Sequence, residues 1–239
     1  MAKFSDEWKV FEHGPLEKLT DNLWRVQGSL PGMSLKRTMT VARRADGRLV
    51  LHSAIALQEA AMQQIEAWGK PSFLLVPNAF HRLDAPAYKK RYPEIAVLTP
   101  RGSRSRVAQV VEVTGSYADF PSDAQVELVS LPGVAEVEGA MFVRSADGLT
   151  IVLNDVVFNM DHKRDWLGFV ITNVLGSAPG PRVSRLAKAL MVKDKRALRA
   201  ELERFAELPD LVRLVVSHEK VTSGSPEARE VLRKAATFL

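Results

Sequence analysis

The chain has 239 residues, 46% of them hydrophobic, enough to bury the core of one compact domain over residues 1–239. It contains no cysteine, which excludes disulfides and thiolate metal sites and leaves His, Asp and Glu as the side chains able to hold a metal. The balance of 33 Lys and Arg against 28 Asp and Glu, net +5, describes a mixed surface and not the one-sided excess of a dedicated nucleic-acid binder.

The N-terminal stretch Met1–Gly14 is of mixed charge, unlike the basic-then-apolar pattern of a signal peptide. No apolar run approaches the roughly 18 to 20 residues that span a bilayer. The expectation is a cytoplasmic protein without a membrane span.

In chain order, "NLWRVQGSL", "SLKRTMTVARR" and "RLVLHSAI" read as a β-meander, with an Ala-Asp-Gly turn before the third run. "ALQEAAMQQIEAWG" has apolar residues at helical spacing and stops on Gly69. "PSFLLVPN" is a strand, "DAPAYKKRYP" a helix that Asp84 could cap with Pro86 in its first turn, and "IAVLTP" a further strand, which makes a βαβ unit. "VELVSL", "GAMFVRS" and "LTIVLND" follow as strands, again with an Ala-Asp-Gly turn at Ala146–Gly148. Met39–His52 and Met141–Asp155 are therefore similar hairpins, either equivalent pieces of two halves or two hairpins that share a common turn. The last third turns helical ("DWLGFVITNVLG", "PRVSRLAKALMV", "DKRALRAELERFAEL") before the strand "LVRLVVSH" and the helix "SPEAREVLRKAATFL". Strands with helices, twice over, predict an α/β or layered α+β architecture with helices on the outer faces of sheets.

Several strand-like runs end on a residue that can bind a metal or move a proton: "RLVLH" on His52, "FLLVPNAFH" on His81, "LTIVLND" on Asp155 and "VRLVVSH" on His218. Strand ends of layered α/β folds face a common crevice, so these four are candidates for one site. His81, Asp155 and His218 form a three-ligand set of the kind that leaves a coordination position open for water. Each also has a plainer reading: His52 as a partner of a loop carbonyl, Asp155 as a turn residue, His218 as a capping or core histidine. His13 and His162 lie in polar segments and read as solvated.

These pieces together resemble the metallo-β-lactamase-like hydrolases, over about residues 20 to 220, and more narrowly a DUF4336-type branch in which the metal motif is eroded. The resemblance implies a four-layer αββα sandwich of two βα halves. Set on the family's HxHxDH motif, "VPNAFH" leaves Val76 and Asn78 at the first two histidines, Phe80 at the aspartate and His81 at the last histidine. No histidine stands in "VSLPGVAEVEGAMFV", where the family carries a further one. "LNDVVF" is similar to the strand end with the metal-bridging aspartate, which implies that role for Asp155, and "VVSHE" is similar to the terminal histidine segment at His218.

What this implies is a metallo-hydrolase-like protein that acts on a small ester or lactone through metal-activated water, with His81, Asp155 and His218 as ligands of one divalent ion, zinc first. His52 is expected to assist the ligands or carry a proton, and Asp84 to act as a base if it is not the helix cap. The alternative is a non-catalytic binding protein on the same degenerate fold, with or without a metal. The apolar stretch Trp166–Val192 suggests a lid or wall for an apolar ligand, a dimer contact, or plain core. "RGSRSRV" and "VKDKRALRAELER" lack interleaved aromatics, and nucleic acid is rejected as a partner.

Overall fold

The computed structural model describes residues 5–239, so Met1–Phe4 of the mixed-charge N-terminal stretch lie outside the described residues. Two sheets dominate. The first runs β1 (Glu17–Lys18), β2 (Leu23–Leu30), β3 (Met33–Arg43), β4 (Arg48–His52), β5 (Lys70–Leu75), β6 (Ala96–Thr99) and β7 (Gly115–Ser116), in that spatial order. Its β1–β4 portion is antiparallel and its β4–β7 portion parallel. The second sheet contains β8 (Val126–Ser130), β9 (Gly139–Ser145), β10 (Gly148–Val152), β11 (Leu211–Val215) and β12 (Val221–Ser223), ordered β12-β11-β10-β9-β8. Here β10 and β11 pair parallel and the other neighbours antiparallel.

The two Ala-Asp-Gly segments close hairpins β3–β4 and β9–β10, as their sequence predicts. Gly47 sits at φ +81° and Gly148 at φ +132°, where a side chain is strained; a Cβ on Gly148 would also lie 2.6 Å from the Asp210 carbonyl oxygen. Each hairpin then feeds a parallel strand through helical segments, which gives the two halves the same logic. Parallel pairing requires such a crossover.

Alternation along the strands sorts the core into layers. Val50, Phe73, Leu75, Met141, Val143 and Val152 meet between the sheets. Leu49, Leu51 and Leu74 face outward to α1 (Glu59–Trp68), α2 (Ala85–Arg91) and α3 (Arg104–Val107). Phe142, Leu149, Ile151 and Leu214 face the other way, to α5 (Arg185–Leu190), α6 (Lys195–Ala206) and α7 (Ser225–Ala236). The architecture is therefore the αββα sandwich. Between β10 and β11 a short α4 (Trp166–Phe169) continues as a π-helical turn, Val170–Val174, where a single α-helix is predicted from the sequence. Among the described residues no helix is long and apolar enough to cross a membrane.

Candidate metal centre

Because β4 and β5 run parallel, and β10 and β11 likewise, their C-terminal ends emerge on one edge of the sandwich. His81 is carried by the loop after β5, Asp155 by the loop after β10, and His218 by the three residues beyond β11. His81 Nε2 lies 3.1 Å and His218 Nε2 3.2 Å from the same oxygen, Asp155 Oδ1. All three ligand atoms fall within 4.8 Å of one another.

Local chemistry fixes each of them. Ser53, held at φ +55° just beyond β4, places its hydroxyl 2.8 Å from His81 Nδ1. The His81 loop is folded by Asn78, whose Oδ1 accepts the N–H of Phe80 (2.8 Å) and of His81 (3.2 Å). The Asn78 amide nitrogen donates to Asp155 Oδ2 at 2.8 Å and to Glu138 Oε2 at 3.1 Å. Glu138, buried at the start of β9, in turn accepts the backbone N–H groups of Asn154, Asp155 and Val156 at 2.9–3.1 Å. On the far side, His218 Nδ1 donates to the Lys36 carbonyl at 2.7 Å and Phe158 stacks on the His218 ring, centroids 5.5 Å apart and planes 6° from parallel.

Burial acts against the charge of Asp155, yet His81 and His218 outweigh it and hold the carboxyl well below the usual carboxylate range. Glu138 moves the other way. Burial and the neighbouring Asp155 charge push its pKa up, against the N–H donors that favour its charged form.

The tautomer of His218 tests whether a cation fits. The Lys36 carbonyl can only accept, so the ring proton of a neutral His218 is on Nδ1, and Nε2 keeps a lone pair aimed at Asp155 Oδ1. A lone pair and an anionic oxygen facing at 3.2 Å repel unless a proton or a cation joins them. Two imidazole nitrogens and one carboxylate oxygen are the donors of a three-ligand zinc-type site, and a histidine whose other nitrogen donates to a backbone carbonyl is the usual supporting contact. The residues present fit a divalent ion.

His52 and Asp84 are placed differently from the trio. His52 is buried behind the site with Nε2 unpartnered, and burial, with His81 adding to it, lowers its pKa to about 3. Asp84 precedes α2 but makes no side-chain cap bond to it. Its carboxylate instead lies 2.5 Å from Arg37 Nη1, both side chains buried, and burial raises its pKa against the pull of Arg37. His13, read as solvated, accepts the Gln58 N–H on Nε2 at 3.0 Å. Glu138 and Ser53 were not singled out by the sequence, and Asn78 only as a lost histidine. Ser53 stands 28 residues from His81, and Asn78 stands 60 from Glu138 and 77 from Asp155, so no local spacing announces these ties.

The trio forms the floor of a cavity of about 300 Å³. Its walls are Leu30, Met33 and Leu35 of the β2–β3 hairpin, Leu83, and Ile171, Leu186, Leu190 and Met191 from the predicted apolar stretch, with Phe80 at the mouth. That size is at the small end of ligand sites.

The chain is similar in structure to a metallo-β-lactamase from Erythrobacter litoralis, solved with β-mercaptoethanol in its active site: TM-score 0.61 and 15% identity over 94% of this chain and 96% of that one. It is similar likewise to the DIM-1 metallo-β-lactamase exposed to ceftazidime (TM-score 0.64, 11% identity, 96% and 98% covered) and to a metallo-β-lactamase from Pontibacter korlensis (0.59, 9%, 94% and 99%). Identities this low show the fold alone, and the chain has the metallo-β-lactamase fold, as the sequence resemblance implies. No protein-family model and no curated protein matches the sequence, so the narrower DUF4336-type branch rests on the sequence resemblance only.

Proposed function

We propose that the chain is a metal-dependent hydrolase of a small, largely apolar ester or lactone, with one divalent ion, zinc first, held by His81, Asp155 and His218. The observation that carries this reading is the convergence of His81 Nε2, His218 Nε2 and Asp155 Oδ1 on the floor of an apolar cavity. When bound, such an ion supplies Lewis acidity toward water and an acyl oxygen. The protein's part is orientation: Lys36 sets the His218 ring, Ser53 the His81 ring, and Asn78 with Glu138 the Asp155 carboxylate. The Leu, Ile and Met walls hold the apolar part of the ligand and exclude bulk water from its polar end. In this reading Asp84 and His52 support the fold behind the site, since neither makes a hydrogen bond to the trio among the described residues.

A second reading, a binding protein without chemistry, is favoured by Phe80, which stands exposed at the mouth where the resemblance expects an aspartate. The two separate on protein purified without a nickel-affinity tag. The hydrolase reading expects up to one zinc or manganese ion per chain by elemental analysis, and turnover of p-nitrophenyl acyl esters that requires the ion and disappears in Asp155→Asn. An ion with ester binding but no turnover selects the second reading. Absence of binding by any divalent ion overturns the first.

A further inference from the structure

We propose that the mouth of the cavity docks on an anionic lipid surface and receives an acyl chain from it. Docking is argued from the rim and stands whether or not the cavity hydrolyses what it takes.

Seven large hydrophobic side chains are exposed among the described residues, and six of them are Phe80, Trp166, Leu167, Phe169, Val174 and Leu190. Phe80 and Leu190 line the cavity, and the other four lie on α4 and the π turn, whose Ile171 lines the cavity too. Trp166 is 76% exposed, an unusual position for tryptophan on a surface that meets only water. Scattered exposed apolar side chains need no explanation, but a group gathered round one opening marks an interaction site.

Charge selects the partner. From His162 to Lys193 the chain carries Lys163, Arg164, Arg182, Arg185, Lys188 and Lys193 against the single acid Asp165, an excess equal to the +5 of the whole chain. Of these six only Lys163 forms an ion pair with a carboxylate among the described residues, with Glu219. Asp165 is occupied as the cap of α4, where it accepts the Gly168 N–H. Arg185 donates to the Val174 carbonyl, Lys188 to the Phe238 carbonyl, and Arg182 lies over the Phe238 ring, contacts that leave their charge without a carboxylate. Tryptophan and phenylalanine on a segment with Arg and Lys that no carboxylate neutralises is the composition that settles at the headgroup level of anionic membranes. A symmetric dimer through this face would instead oppose like charges. The cavity opening among these side chains has Leu, Ile and Met walls, which suit a hydrocarbon chain.

The test uses the full chain and sized vesicles of phosphatidylcholine, alone or with roughly one-third phosphatidylglycerol. Trp24 and Trp68 are stacked on each other at 3.9 Å and Trp8 is half-buried, so a blue shift of tryptophan emission on vesicles reports Trp166. Expected are co-sedimentation with the anionic vesicles, a blue shift, weakening by salt, and on the order of a tenfold loss of partitioning in Trp166→Ser/Phe169→Ser. The exposed positions leave the melting temperature of that variant unchanged. A second variant, Arg164→Glu/Arg185→Glu, is expected to lose the preference for anionic vesicles. The proposal is overturned by failure to bind anionic vesicles at low salt, by equal binding of the Trp166/Phe169 variant, or by a dimer that this variant dissociates with no vesicle binding in either form.

Discussion

Asn78 donates to Asp155 Oδ2 at 2.8 Å, and that bond commits one oxygen of the carboxylate to the protein. The other oxygen, Oδ1, is the one that His81 and His218 share. The Asn78 side chain has no lone pair to offer a second ion either, because its Oδ1 already accepts two backbone N–H groups. Val76, at another of the three lost histidine positions of the resemblance, is apolar and buried.

The first prediction is therefore stoichiometric. Zinc or manganese is expected to bind at no more than one ion per chain by elemental analysis of protein dialysed against excess metal. Saturating metal raises the melting temperature, equivalent to about 2.7 kcal/mol at a hundredfold excess over Kd. Asp155→Asn, which keeps the volume and removes the charge, is expected to lose that rise. Two ions per chain would show that Asn78 does not block the second position.

Glu138 governs the loop that presents Asp155. Its two oxygens accept three consecutive backbone N–H groups and the Asn78 amide. Glutamine in its place turns an NH2 group toward those donors, so at least one bond to a carboxyl oxygen is replaced by a buried donor facing a donor. The expected cost is about 3 kcal/mol, read from the urea midpoint, together with weaker zinc binding by calorimetry. An unchanged midpoint in Glu138→Gln would mean that the loop holds itself.

How much of this was legible in the sequence depends on range. The hairpins were readable because an Asp-Gly turn and period-two alternation are local signals. The convergence of His81, Asp155 and His218 was readable because each follows an apolar run whose end lies at an edge where strand ends meet. The ties that orient them were not, since Asn78 reaches across 60 residues to Glu138 and 77 to Asp155, and nothing in either neighbourhood marks the partner. Asp84 looked like a cap because Pro86 follows it, but buried Arg37 supplies a cation that competes for the carboxylate. The π turn escaped for a related reason: apolar periodicity forecasts a helix without its hydrogen-bond register. Thr172, back-bonded to the Gly168 carbonyl at 2.7 Å, lies in the altered segment.

The Arg37–Asp84 pair gives a third prediction. Both side chains are buried, and Arg37 Nε and Nη2 have no hydrogen-bond partner. Removing one partner strands a charge in the interior, so Asp84→Ala is expected to cost about 3–5 kcal/mol in urea unfolding. Replacing both, Arg37→Met with Asp84→Leu, is expected to recover most of that loss. A double variant as unstable as the single one would mean that packing, and not the stranded charge, sets the cost.

The last prediction concerns acid stability and His52. Burial, with His81 adding to it, lowers the His52 pKa to about 3 from an ordinary 6.5, so the folded chain keeps this imidazole neutral where the unfolded chain protonates it. A depressed folded-state pKa contributes stability that is fully present above the unfolded value and is lost as pH falls toward the folded one. The window is thus from about pH 6.5 down to pH 3, with a slope near 1.4 kcal/mol per pH unit. His52→Gln removes the titration while keeping a similar volume. Relative to the parent chain, its unfolding free energy is expected to gain about 3 kcal/mol between pH 7.5 and pH 4. Carboxylates common to both proteins, Asp155 among them, cancel in that difference. Urea midpoints for the two chains at pH 7.5, 6, 5 and 4 measure it, and parallel curves would show that His52 takes up its proton in the fold as readily as in the unfolded chain.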